Sequence, residues 1–336
     1  MIKEIKNKSD WNAVLSKVTD YDFYHTYDYH QISKEDTEEA ILLTYENEDT
    51  LIALPLILRP IADTNYYDYT SVYGYVGPLS NIVDSNFDYT DYKDELLQYL
   101  KSKHIVSIFS RLHPYFDQQS MLESLGSVET LGDTVNIDVT LPIEESRRAY
   151  GKSNKNQINK LRRECSVIKA TSEKEVLEFI DIYYENMNRL NADESYYFSK
   201  DYFFNFLDIN DFKTDILLVK DNQSETIIAG AMFVKTNESI VQYHLSGTRT
   251  DYLRMKPSKL FLDEMRVNAT DEGYRYFNLG GGLGSKNDSL FEFKSSFSKD
   301  FRPFKVWKFI INEEMYHALS SKHTETDHFP KYRAKY

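Results

Sequence analysis

Residues 41–47 (ILLTYEN) gather aliphatic, β-branched and aromatic side chains, then give way to a polar turn and a second apolar run at 50–56 (TLIALPL). That pattern predicts a β-hairpin closed by an Asn/Asp-rich turn. The arrangement returns at 216–222 (ILLVKDN) and 226–232 (TIIAGAM), with one residue more in the turn. The elements that follow keep the same order. In the first half a strand-like 71–79 (SVYGYVGPL) precedes a helix-like 92–101 (YKDELLQYLK) and a strand at 105–109. In the second half 239–246 (SIVQYHLS), 259–272 and 276–279 take those places. Pro257 and Ser258 suit the helix start and Gly273 its stop. Helical stretches at 11–18 and 176–188 precede the two hairpins. The shared order predicts an α/β (α+β) protein made of two copies of one unit. We place them at 1–145 and 146–308, with the junction after Leu141-Pro142 and a polar tail, 309–336, packing back on the first copy.

Composition agrees with this division. The 336 residues suit about two domains of ordinary size. Apolar residues at 41% and aromatic residues at 15% supply material for a core, which excludes disorder over most of the length. The longest apolar run, 51–58, contains Pro55 and is far short of the roughly 20 residues that cross a bilayer. The first twelve residues lack the apolar centre of a signal peptide, and Cys165 is the single cysteine. The expectation is a cytoplasmic protein without a membrane span or an internal disulfide.

Charge narrows the partners. A net charge of -13 repels nucleic acid at long range, which argues against DNA and disfavours transfer RNA. Against that background, Arg147, Arg148, Lys152, Lys155, Lys160, Arg162 and Arg163 follow one another with no acidic residue between them. Such a segment either holds a phosphate-bearing ligand or forms a solvated helix face.

Several chemistries are excluded by spacing. There is no HExxH, and His25 and His30, five apart, make a poor helical metal pair, so no metal site is expected. No GxSxG elbow occurs. Gly151-Lys152-Ser153 ends like a P-loop, but Ser146 stands where the first glycine belongs. Gly280-Gly281-Gly282 follows a strand without opening a dinucleotide-type helix.

Other residues are candidates. Glycines at 280–282 allow a backbone to approach a ligand or to turn sharply. Beyond them Phe291, Phe293 and Phe297 flank Lys294, and a cation in an apolar setting can stabilise developing negative charge. On the 239–246 strand, alternation puts Tyr243 and Leu245 on one face, and His244 and Ser246 on the other, where they could line a cleft. Asn186, Arg189, Tyr196 and Tyr197 end a helix and suit a polar ligand.

Taken together, SVYGYVGPLSN, NQINKLRRE, ENMNRLNADESYYF, QYHLSGT, FNLGGGLGSKNDSLFEFKSSF and HFPKYRA resemble the Fem-type aminoacyltransferases, peptidoglycan-bridge enzymes within the GNAT (Gcn5-related N-acetyltransferase) superfamily. The resemblance implies two tandem GNAT-like domains, each a mixed, mostly antiparallel sheet flanked by helices. It implies an N-acyltransferase that carries an acyl or aminoacyl group to an amine of a small-molecule or lipid-linked cell-envelope precursor. No cofactor is expected to stay bound; acyl-CoA or aminoacyl-tRNA would be the co-substrate. By position, Lys294 matches the lysine the family uses near the reacting centre. Arg189 and Tyr197 fall where it contacts a phosphate-bearing acceptor, and Tyr243 falls in its cleft-lining strand. Two departures stand out: Ser33 replaces a lysine of the muramyl-peptide enzymes, and no coiled-coil insertion is present. The competing readings are a transfer-RNA-dependent peptidoglycan-bridge enzyme and a non-catalytic ligand-binding protein that kept the fold.

Overall fold

The computed structural model describes residues 1–84, 86–322 and 325–334; residues 323–324 and 335–336 of the expected tail fall outside it. The chain forms two compact units, 1–132 with 303–336, and 133–302. The crossings lie inside strands Ser127–Asp138 and Asp300–Ile310, so the boundaries differ from those expected near 145 and 308. Regular strands continue through both points, and no Pro- or Gly-rich linker marks them in the sequence.

Each unit is a mixed, mostly antiparallel sheet flanked by helices. In the first, Glu39–Asn47 and Thr50–Pro60 make the expected hairpin, pairing Asn47 with Thr50 across a two-residue turn. Their apolar side chains fill a core with Leu96 and Leu100 of the helix Thr90–Ser102 and with Ile105 and Ile108 of the strand Ile105–Arg111. The stretch 71–79 is not the strand its composition suggested. The strand here is Tyr67–Thr70, and most of 71–79 is a strap. The reason lies at its glycines. Gly77 has φ +85, and a Cβ there would sit 2.5 Å from the Gln118 carboxamide. That carboxamide donates to the Val76 and Pro78 carbonyls at 2.7 and 2.9 Å. Residues 303–336 belong to this unit. Trp307 pairs with Ser110, Tyr332 bonds Ser107 at 2.7 Å, and Arg333 meets the buried Asp68 at 2.9 Å.

The second unit repeats the order. Lys213–Asp221 and Ile227–Thr236 form the hairpin, followed by Ile240–Thr248, the helix Ser258–Asp271 and the strand Tyr276–Gly280. Small residues let helices approach the sheet on both faces. Gly230 lies under Phe179 of the helix Glu173–Leu190 on one face. Ala231 and Phe233, on the other face or its continuation, join Leu260 and Phe261 of Ser258–Asp271 and Ile158 and Leu161 of Lys152–Glu164. Burying such an aromatic or aliphatic side chain contributes about 2 kcal/mol.

Candidate functional site

The second unit contains a fork. Strands Ile240–Thr248 and Tyr276–Gly280 pair in parallel from Ile240 with Tyr276 to Gln242 with Asn278. Beyond that rung Ile240–Thr248 continues only against Ile227–Thr236, while Tyr276–Gly280 keeps to Ser127–Asp138. Parting strands leave their backbone groups and side chains open to a ligand.

Lys294 stands at this fork. It lies on the helix Ser289–Ser295, whose N-terminus is capped by Asp288 accepting from the Phe291 amide at 2.9 Å. The side chain is 8% exposed. Its Nζ donates to the Gly281 carbonyl at 2.6 Å and lies 5.8 Å from the centre of the Tyr243 ring. No carboxylate reaches it among the described residues. Burial therefore pulls the ammonium down to about 8, opposed by the more distant attraction of Asp288. The three phenylalanines expected around it join the same core cluster as Tyr243. Phe293 meets Phe297 and Phe291 meets Phe301, and the ring facing the ammonium is Tyr243.

A bulge rearranges the cleft strand. Phe233 pairs with Tyr243 but Met232 with Leu245, so one extra residue stands between them. The expected alternation is thereby overturned: Tyr243 and Leu245 face opposite ways. The Tyr243 hydroxyl instead bonds the Ser246 hydroxyl, and burial pushes the phenol up to about 12. His244 leaves that cluster. Its Nε2 bonds the Tyr202 hydroxyl at 2.9 Å, and its ring stacks on Phe206 at 5.1 Å. A bulge is invisible to a period-two reading, because every residue involved remains a plausible strand residue.

The glycines take distinct places. Gly280 adopts φ +74 and gives its amide to Asn278 Oδ1 at 2.9 Å. Gly281 supplies the carbonyl that holds Lys294, and Gly282 follows at the turn beside Asp288. Arg189 and Tyr197 join neither Lys294 nor each other. The Arg189 guanidinium donates to the Thr248 carbonyl at 3.1 Å and to the Asn186 side chain, which ties it to the end of the bulged strand. Tyr197 donates to Asn188 at 2.8 Å and stacks on Tyr184.

The basic segment is the helix Lys152–Glu164 with the turns before it. Arg162 is engaged by Asp263 and Glu264, and Lys160 faces Glu164 at 3.8 Å. Lys152, Lys160 and Arg163 line one concavity of about 730 Å³; Arg147, Arg148 and Lys155 line another of about 350 Å³. The helix starts beside the Lys294 helix: the Gly151 amide and the Asn154 side chain both donate to the Ser296 carbonyl, at 3.1 and 3.2 Å. No group of His, Cys, Asp and Glu suited to a metal ion occurs among the described residues. No helix among them is long and apolar enough to cross a membrane.

Sequence reasoning missed two things. Asn278, fully buried at the last paired rung before the fork, stands in the FNLGGG run but shows no role there from sequence alone. In the first unit Asp22 and His113, buried and 3.1 Å apart, lie beside His25. Only tertiary folding brings residues so distant in sequence together.

Comparison with known proteins places these features. Residues 213–304 match the FemAB family, a span that includes the fork, the glycines and Lys294. No curated protein matches the chain. Among solved structures, FemX covers 94% of this chain and 99% of its own, with a TM-score of 0.70 at 12% identity. L-PGS from Bacillus licheniformis covers 92% and 94%, with a TM-score of 0.59 at 14% identity. A tandem GNAT protein from the clavulanic acid biosynthesis pathway covers 92% and 97%, with a TM-score of 0.51 at 9% identity. Over 213–304 the Fem-type resemblance holds, and the fold is that of tandem GNAT-like proteins.

Proposed function

We propose that the second unit transfers an acyl or aminoacyl group from an activated ester or thioester to an amine of a cell-envelope precursor, an amino sugar or a peptide. The observation that carries this reading is the buried ammonium of Lys294 at the strand fork, held by one backbone carbonyl and no carboxylate, inside the FemAB-matching segment.

The chemistry asks for a polarised carbonyl and a neutral amine nitrogen in near-attack geometry. The nitrogen attacks the carbonyl carbon, a C–N bond forms, and the C–O or C–S bond to the leaving group breaks. The proton lost by nitrogen passes to the leaving group or to water. Negative charge develops on the carbonyl oxygen and then on the leaving atom. Lys294, titrating at about 8, is mostly charged at neutral pH and can donate to either atom. A single preorganised donor of this kind contributes about 3 kcal/mol, roughly 10²-fold in rate. The Tyr243–Ser246 hydroxyl pair lies on the same side as Lys294 and suits orientation of the acyl group.

Both candidate donors, acyl-CoA and aminoacyl-tRNA, carry phosphates. The cationic concavities along Lys152–Glu164 adjoin the Lys294 helix and favour a phosphate-bearing donor over a bare ester. The test is to incubate the purified chain with an amine acceptor and either charged transfer RNA or acyl-CoA, and to detect the amide by mass spectrometry. Lys294→Ala should lower turnover about 10²-fold. Near wild-type turnover in that variant removes Lys294 from the mechanism.

A further inference from the structure

Asn278 is fully buried in the strand Tyr276–Gly280, at the rung where the fork begins. Both ends of its carboxamide are engaged. Nδ2 donates to Gln242 Oε1 on the neighbouring strand at 2.9 Å. Oδ1 accepts the Gly280 amide at 2.9 Å. Because an amide N–H needs an oxygen acceptor, this bond fixes which way the carboxamide points. Gly280 is thereby held at φ +74, a conformation that costs a residue with a Cβ roughly 1 kcal/mol or more. The next residue, Gly281, turns its carbonyl onto Lys294 Nζ. On its far side Gly281 runs so close to the Asp133 carbonyl that a Cβ would stand 2.8 Å from it. The loop is thus fixed between a backbone wall and the Asn278 side chain.

We infer that Asn278 is a positioning residue: it locks the last paired rung before the fork and sets the Gly281 carbonyl that holds the Lys294 ammonium in place for transfer. This rests on the function proposed above. Asn278 touches no substrate in this scheme and acts through Lys294. The charged and titratable groups facing that ammonium are the Asp288 carboxylate, from the loop ahead of its helix, and the Tyr243 phenol, from the bulged strand. Asn278 is the neutral polar group behind the carbonyl.

The experiment needs no knowledge of the substrate. The full chain is labelled with ¹³Cε-lysine, and the Lys294 resonance is assigned by its loss in Lys294→Arg. Its titration is followed by NMR in the wild type, Asn278→Ala and Asn278→Asp. The wild-type midpoint is expected near 8. Asn278→Ala frees the Gly280 amide and lets the Gly281 carbonyl swing off the ammonium, so the midpoint should move by about one unit, a tenfold change in proton affinity: down where the acceptor is lost, up where water replaces it. Asn278→Asp keeps an acceptor for Gly280 and adds a negative charge. It should preserve protection of the Gly280 amide against exchange while also raising the midpoint. A folded Asn278→Ala protein with an unchanged midpoint overturns the inference. Should that variant not fold, an unchanged midpoint in Asn278→Asp does the same. Failure of the functional reading looks different: the midpoints move as described, yet the wild type forms no amide from either donor.

Discussion

Replacing Lys294 by Met should make the protein more stable and less active. At neutral pH the native state holds a charged ammonium in a site that lowers its affinity for protons from the usual 10.5 to about 8. At about 1.4 kcal/mol per unit, that is roughly 3 kcal/mol against the folded state. Methionine removes the penalty and keeps the apolar stem, but it leaves the Gly281 carbonyl without its donor, a loss of about 1 kcal/mol. The net gain is about 2 kcal/mol at pH 7, or about 4–8 °C in Tm for a domain of this size. The sign follows from proton binding. Between about 8 and 10.5 the unfolded chain holds the lysine proton and the native chain does not, so wild-type stability rises with pH through that window. The advantage of the Met variant should therefore shrink and be nearly gone by pH 10. Urea melts at pH 7 and pH 10, with transfer activity measured in parallel, decide the matter. A Met variant less stable than wild type at pH 7, or a gap constant up to pH 10, refutes the reasoning.

Three further outcomes are expected. His25 and His30 are fully buried, and burial lowers them to about 3 and 4, so the unfolded chain takes up more protons as pH drops below the usual 6.5. Stability of the first unit should fall by about 2 kcal/mol per histidine between pH 7 and pH 5, and His30→Gln should roughly halve that slope in a Tm-versus-pH series. Arg333→Ala leaves the buried Asp68 with Arg59 and the Tyr332 hydroxyl and should cost about 2–3 kcal/mol by denaturant titration; a loss under about 0.5 kcal/mol would show the tail anchor to be dispensable. Reversing charge at Lys152, Lys160 and Arg163 together should leave the melting temperature within a few degrees, raise the donor KM at least about tenfold at low salt, and flatten its salt dependence.

The hairpins and the core helices could be read from the chain because their apolar spacing is local. Ile41 to Leu56 and Ile216 to Met232 declare strands whatever they pack against. Lys294 draws notice in the sequence as a lone cation among Phe291, Phe293 and Phe297; the structure buries it, although the ring it meets is that of Tyr243. What could not be read depends on tertiary partners. The 71–79 segment is rich in strand formers, yet Gly77 and the distant Gln118 hold it as a strap. The bulge at His244 changes the facing of Tyr243 and Leu245 without any change of residue type. The unit boundaries escaped because the chain crosses within Ser127–Asp138 and Asp300–Ile310, where local preference is simply extended.

The strap of the first unit has a consequence for the substitutions the chain tolerates. After Thr70 the chain stays zipped to its parallel neighbour: the Ser71 amide reaches the Phe109 carbonyl, the Val76 amide reaches that of Arg111, and Val76 bridges Leu112. Where the second unit parts its strands, the first keeps the matching seam closed. Around that closed seam, tolerance to substitution should track depth from the surface. In the second unit, tolerance should fall off around residues 242, 278, 281 and 294 as well, even for changes that leave melting untouched.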